Sequence, residues 1–378
     1  MKKQSKFRSG IFLVLFAFAI AFGGNIVFAQ GTTALPFLLI SPDARANGMG
    51  ETGSAIADKS TAIFWNPGGL AFQTGTDVSF TYSDWLPDLP QDFPFNPGYT
   101  YSTFKMNIPE IEGTLSASLF YFGYGINQES DADDSRDYAL TLGYARKLGS
   151  DWGLGLNLRY VNSRLVNTDA SGISKSYTAT SFNFDLGVLW RPVKFLDGKF
   201  SAGMSVSNMG GEIYYVDEAQ SDPIPTNLRF GFAYEIFKEN KHSLLAAVDF
   251  SRLLVQRPDS TGERDSWYKA IFSSWGNDKA FNEFIFSTGI EYQYGRPDDV
   301  MFSLRSGFFY EDPNNGDRKY LTFGAGWRYK YVGLDLSYLW TSLFEGHENS
   351  FLDNTWRVQL SVGWGAEKQN TLGLPRGI

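Results

Sequence analysis

The residues of this chain best suited to acid–base work at neutral pH are two histidines, His242 and His347. A hydrolase would need one of them within hydrogen-bond reach of a Ser or Asp. His242 opens an alternating stretch beside a tight turn, and His347 lies in the polar run "FEGHENS"; neither has a partner fixed by sequence. His347 is read as a solvated loop residue, and no catalytic residue is assigned. The acidic run "ESDADDSRD" at 129–137 offers the hard oxygens that Ca²⁺ prefers, but not the spacing of a calcium loop, and is read as solvated. No metal and no cofactor are assigned. The chain has no cysteine, so it depends on no redox compartment and carries no lipidated thiol.

Two other stretches suggest binding and packing. The segment 253–282 gathers Trp267, Tyr268, Phe272, Trp275 and Phe281 among charges, and 266–274 is predicted to form a short amphipathic helix. Aromatics on an outer loop suit a partner-binding hot spot, or a lid packed over the mouth of the fold; the sequence leaves both open. The second is "STAIFWNPGGLAF" at 60–72. Pro67 fixes its own φ and pushes Asn66 toward extended geometry, and Gly68 and Gly69 are expected to supply a tight reversal with positive φ.

These residues must be positioned by what surrounds them. "MKKQSKFRSG" followed by "IFLVLFAFAIAF" has the form of a secretory signal peptide, with cleavage expected after Ala29. That leader holds four of the 33 basic residues and none of the 41 acidic ones, so the rest of the chain carries a formal charge of −12. Such a balance argues against nucleic acid as a partner. From Thr76 onward an apolar or aromatic face alternates with a small or polar one: Leu154, Leu156, Leu158 and Tyr160 against Gly155, Asn157 and Arg159. Period two means strands with two environments.

About fourteen such strands begin near residues 76, 98, 113, 136, 152, 177, 199, 228, 241, 283, 299, 319, 332 and 354. Long connections at 86–97, 126–135, 165–176, 209–227, 253–282, 311–318 and 341–353 alternate with tight ones such as 109–112 and 330–331. An even strand number with alternating long loops and short turns predicts a transmembrane antiparallel β-barrel in the bacterial outer membrane, in contact with its lipid. Charges at Arg159, Asp185, Arg229, Asp249, Glu291, Arg305, Arg328, Asp335 and Arg357 then face the lumen, and Trp85, Trp190, Trp340, Trp356 and Trp364 fit interfacial girdles. A barrel this wide is not filled by its own side chains. Residues 30–75, rich in glycine and without alternation, are expected to form a hatch in the lumen, with Asn66, Pro67, Gly68 and Gly69 in its inner part. The expected organisation is therefore signal peptide 1–29, hatch 30–75, barrel 76–364 and tail 365–378.

"SPDARANGMGETGSAIAD" followed by "STAIFWNPGGLA" resembles the hatch region of the FadL-like outer-membrane family of fourteen-stranded plugged barrels. The stretches "ALPFLLISPDARANGMG", "LGYARKLGSDWGLGLNLRYVNSRL", "SVSNMGGEIYY", "PTNLRFGFAYE", "LAAVDFSRLLVQRP", "STGIEYQY" and "RSGFFYEDPNNGDRKYLTFGAGWRYKYVGLDLSYL" narrow this to the PorV branch, part of the type IX secretion system. The resemblance implies a protein that is not an enzyme. Its implied role is to receive exported cargo bearing C-terminal targeting domains at the translocon barrel and deliver it to a surface sortase complex. A FadL-like transporter of hydrophobic small molecules shares the fold and is the alternative.

Overall fold

The computed structural model describes residues 33–89, 96–125, 135–168, 174–216, 221–256, 265–276, 282–296, 299–344 and 351–365. The proposed leader and nearly all of the tail lie outside these residues, as do His347, Phe281 and most of the acidic run.

Fourteen strands form one closed antiparallel ring: β1 Thr76–Asp84, β2 Gly98–Ile108, β3 Gly113–Gly123, β4 Arg136–Leu148, β5 Trp152–Thr168, β6 Ser174–Trp190 and β7 Phe200–Gly210, then β8 Asn227–Glu239, β9 His242–Leu253, β10 Ile285–Gly295, β11 Val300–Tyr310, β12 Lys319–Tyr329, β13 Val332–Trp340 and β14 Trp356–Trp364. Each strand pairs with its sequence neighbour, and β1 closes on β14 in a register running from Thr76 opposite Trp364 to Tyr82 opposite Val358. Closure leaves no unpaired strand edge, which hydrocarbon demands. The predicted fold class and strand number hold. β5 and β6 extend further into their long connection than the alternation suggested, to Thr168 and from Ser174.

The alternation sorts side chains as strand geometry requires. Leu142, Leu158, Phe182 and Leu304 are exposed on the outer wall, with Phe182 at 73%, while Asn157, Asp185, Glu291 and Arg357 are buried on the inner one. An apolar belt of this extent is unstable in water and suits lipid. At one rim the turns are tight, with Asn240 and Lys330 at φ 53° and 51°, the left-handed geometry that short hairpins use. Among the tryptophans expected in girdles, Trp356 and Trp364 are exposed and Trp190 stacks on Trp152 at 5.8 Å. Trp85 departs from the girdle expectation. Buried Ser79, Thr81 and Ser83 set the inward parity of β1, and Trp85 continues it, resting 6.3 Å from Tyr99 with the Arg357 guanidinium over its ring.

Candidate functional site: a segment bonded to the inner wall and a helix on the outer wall

Residues 33–73 lie within the ring, bonded to inward side chains on opposite sides of it. Ala44 N–H donates to Gln359 on β14 at 3.1 Å, and Gly50 N–H to Thr322 on β12 at 2.8 Å. Ser201 on β7 donates to the Ala55 carbonyl at 2.7 Å, and Thr103 on β2 to Ser60 at 2.7 Å. Asp249 on β9 accepts from Gly53 N, Ser54 N and Ser54 Oγ at 2.9, 2.8 and 2.7 Å. Buried backbone donors must find partners, and a segment with little regular structure finds them on the wall.

The strongest attachment is a circuit of buried charges. Arg45 donates to Glu291 on β10 through Nε at 2.9 Å and Nη2 at 2.7 Å, and its Nη1 contacts Asp58. Glu291 also accepts from Arg305 on β11 at 2.6 Å; Arg305 pairs with Asp335 on β13 at 2.8 Å, and Asp335 with Lys59 at 2.8 Å. Asp58 and Lys59 are adjacent, so three cations and three anions form a loop that leaves the interior segment, crosses three strands and returns. Burial works against the charge of Arg45, yet the carboxylates of Asp58 and Glu291 outweigh it and raise its pKa well above the ordinary guanidinium value. Asp43, which caps the short Ala44–Asn47 helix, accepts from Arg45 N at 2.8 Å and from Thr61 at 2.6 Å.

The Asn66-Pro67-Gly68-Gly69 motif is wholly buried. Ala62–Trp65 makes one helical turn, Asn66 is extended at φ −160°, and Pro67–Phe72 is a 3₁₀ helix. Asn66 donates to the Ser54 and Val188 carbonyls, both at 2.9 Å, and accepts from Gly68 N at 3.0 Å. Gly68 and Gly69 do not have positive φ, which corrects the expected reversal. They are small because of contact: a Cβ on Gly69 would lie 2.1 Å from the Ala57 carbonyl oxygen, and one on Gly68 2.8 Å from that of Gly153 on the wall. Toward the long-loop rim the lumen closes with an apolar cluster in which Leu35, Phe37 and Leu38 meet Phe120, Phe122 and, from the β7–β8 connection, Ile213 and Ile224.

The aromatic connection between β9 and β10 lies elsewhere. Its helix, Trp267–Ser273, packs against β7, and Trp267 sits edge-on to Phe184 at 5.7 Å. Phe184 has the outward parity of β6, opposite to buried Asn183 and Asp185. Trp275 lies over the Arg252 guanidinium at 4.3 Å, while Tyr268 and Phe272 face away, both exposed. The structure thus brings Trp267, Tyr268, Phe272 and Trp275 together on the outer wall, away from the motif at Asn66 and away from the mouth. His242 is on the tight-turn rim, its Nδ1 2.6 Å from the Tyr292 hydroxyl and its ring 5.0 Å from Tyr294.

Sequence reasoning foresaw the wall charges Glu291, Arg305 and Asp335 but not their partners Arg45, Asp58 and Lys59. The available signal was the charges of an otherwise glycine-rich segment facing a wall whose own charges need compensation. Arg252 was missed as well, although a cation at the outward parity of β9 signals that something covers it.

A closed fourteen-stranded antiparallel ring with an apolar outer belt is an outer-membrane β-barrel. The family model described as "Type IX secretion system protein PorV" matches residues 28–260, and the chain belongs to that family. It resides in the bacterial outer membrane. Similar solved structures include the toluene transporter TbuX of Ralstonia pickettii, 13% identical over 84% of this chain and 95% of that one at a TM-score of 0.48. A FadL homologue of Pseudomonas aeruginosa is 12% identical over 91% and 100% at 0.48, and the toluene transporter TodX of Pseudomonas putida 13% over 89% and 97% at 0.45. No curated protein sequence matches.

Proposed function

We propose that the protein receives exported cargo bearing C-terminal targeting domains at the type IX translocon barrel and delivers it to a surface sortase complex, acting through its outer surfaces and not through its lumen. Membership in the family of type IX components supports the secretion role. The observation that carries the rest is the filled interior: residues 33–73 are tied by the charge circuit to β10, β11 and β13 and by hydrogen bonds to β2, β6 and β7 across the ring, and the apolar cluster around Phe37 and Phe120 lies at the long-loop end. A barrel so occupied offers an extruding polypeptide no path, and breaking the circuit in each transport cycle would expose buried charges at a cost of several kcal/mol. The role asks for no catalytic group, and we read the protein as a carrier, not an enzyme.

The alternative, transport of a hydrophobic small molecule, draws on the same apolar cluster, which would have to open to admit it. Purification from native outer membrane in mild detergent separates the two. Type IX components should co-elute with the barrel, and its deletion should leave cargo in the periplasm. Elution with bound lipid alone and normal cargo display in the deletion strain would favour the small-molecule reading.

A further inference from the structure

The geometry points to the β9–β10 helix, Trp267–Ser273, as an interfacial element seated in the outer-leaflet boundary, with lipid as the occupant of its exposed aromatic face. Arg252 shows where the connection lies. In β9 it pairs with Leu228 of β8, one step beyond the facing pair Phe230 and Phe250, on the parity that meets lipid. Yet it is fully buried, with its guanidinium donating to the Ser274 carbonyl at 2.5 Å and to Glu283 at 2.7 Å beneath the Trp275 ring. Only a segment lying on the outside of the barrel can cover an outward residue. The contacts of Trp267 with Phe184 and of Phe284 with Phe230, at 5.7 and 5.9 Å, fix it there.

The side turned away from the wall is apolar where water would be costly. Tyr268 and Phe272, one helical turn apart, are 55% and 79% exposed, and Trp275 is 40% exposed with its indole N–H donated internally to the Ile271 carbonyl at 3.0 Å. Lys269 beside them is also exposed, giving the mixed cationic and aromatic face that interfacial helices present to headgroups.

Continuity with the lipid-facing belt selects the occupant. On the lipid-facing wall, outward Tyr138, Tyr160 and Phe182 form a ladder across β4, β5 and β6 with ring separations of 6.2 and 5.2 Å. Phe182 is two residues along β6 from Phe184, the residue on which Trp267 rests. The helix therefore continues an aromatic band of the lipid-facing wall, level with the end of β7, because Phe184 pairs with Met209 next to the terminal Gly210, and Trp and Tyr concentrate at such strand ends. This contact with lipid is independent of the cargo-carrying role.

The native chain lacks cysteine, so single-cysteine labelling is clean. Phe272→Cys, carrying an environment-sensitive fluorophore, is compared with Val216→Cys, which is 72% exposed in the β7–β8 connection, in phosphatidylcholine vesicles bearing a nitroxide near the headgroup. At a burial depth of 5–10 Å the Phe272 probe should be blue-shifted and quenched about twofold, while the Val216 probe stays water-like. Water-like, unquenched emission at Phe272 from a folded barrel would overturn the assignment. So would a probe that ignores the nitroxide but becomes shielded when the purified translocon barrel is added, which would make the face a protein-docking surface.

Discussion

Two segments of this molecule lie outside the strands and yet are held by the wall, one from inside and one from outside. Residues 33–73 meet the inner face and are held by charge and hydrogen bonds: Arg45 to Glu291, Asp249 to Gly53 and Ser54, Asn66 to Val188. The β9–β10 connection meets the outer face and is held mainly by rings, Trp267 on Phe184 and Phe284 on Phe230, with one shielded cation, Arg252. The same alternating strands dictate both outcomes, because they present a mainly polar face inward and a mainly apolar one outward. A segment held within must find partners for most of its buried polar groups, so it becomes specific and fixed. A segment on the outer wall can leave aromatics uncovered if lipid meets them.

The contrast is broken most severely at Arg45. Arg45→Ala strips Asp58 and Glu291 of their shared cation and should destabilise the folded barrel by about 3–5 kcal/mol, the cost of leaving a buried charge without its partner. Thermal unfolding in detergent micelles measures it. A shift no larger than that of a surface substitution would mean that the interior segment is not anchored by the circuit. A smaller effect sharpens the packing argument: Gly69→Ala should cost about 1–3 kcal/mol, although a helical φ accepts alanine, because the methyl has no room against Ala57. Wild-type stability in that variant would return the motif to an ordinary turn.

The degree to which each region was legible follows from how local its cause is. Strand positions and the inward charges could be read from Leu154 to Tyr160 and their intervening residues, because period two is written into neighbouring positions. The Asn66-Pro67-Gly68-Gly69 motif was recognisable, but its reason was not: "Gly-Gly" after proline suggests positive φ, and only the approach of Ala57 and Gly153 shows that volume decides. Trp85 was misplaced because tryptophan at a strand end suggests a girdle, while the serines and threonine of β1 had already set its parity inward. Whether the β9–β10 aromatics capped the mouth or bound a partner could not be decided from their types. The fact that locates them on the outer wall, Arg252 at outward parity and yet buried, depends on strand pairing as well as composition.

The central claim is that the lumen stays sealed while the protein works, and a tether between segment and wall tests it most directly. Ser60 and Thr103 are short, buried and already in contact, with hydroxyls 2.7 Å apart, and in a chain without native cysteine a Ser60→Cys, Thr103→Cys pair can form only one disulfide. Surface display of cargo is measured in cells where electrophoresis shows the crosslink to be complete. Display equal to that of the uncrosslinked protein is the predicted result. Display lost on crosslinking and restored by reductant would show that the interior segment must move for export, and would contradict the account.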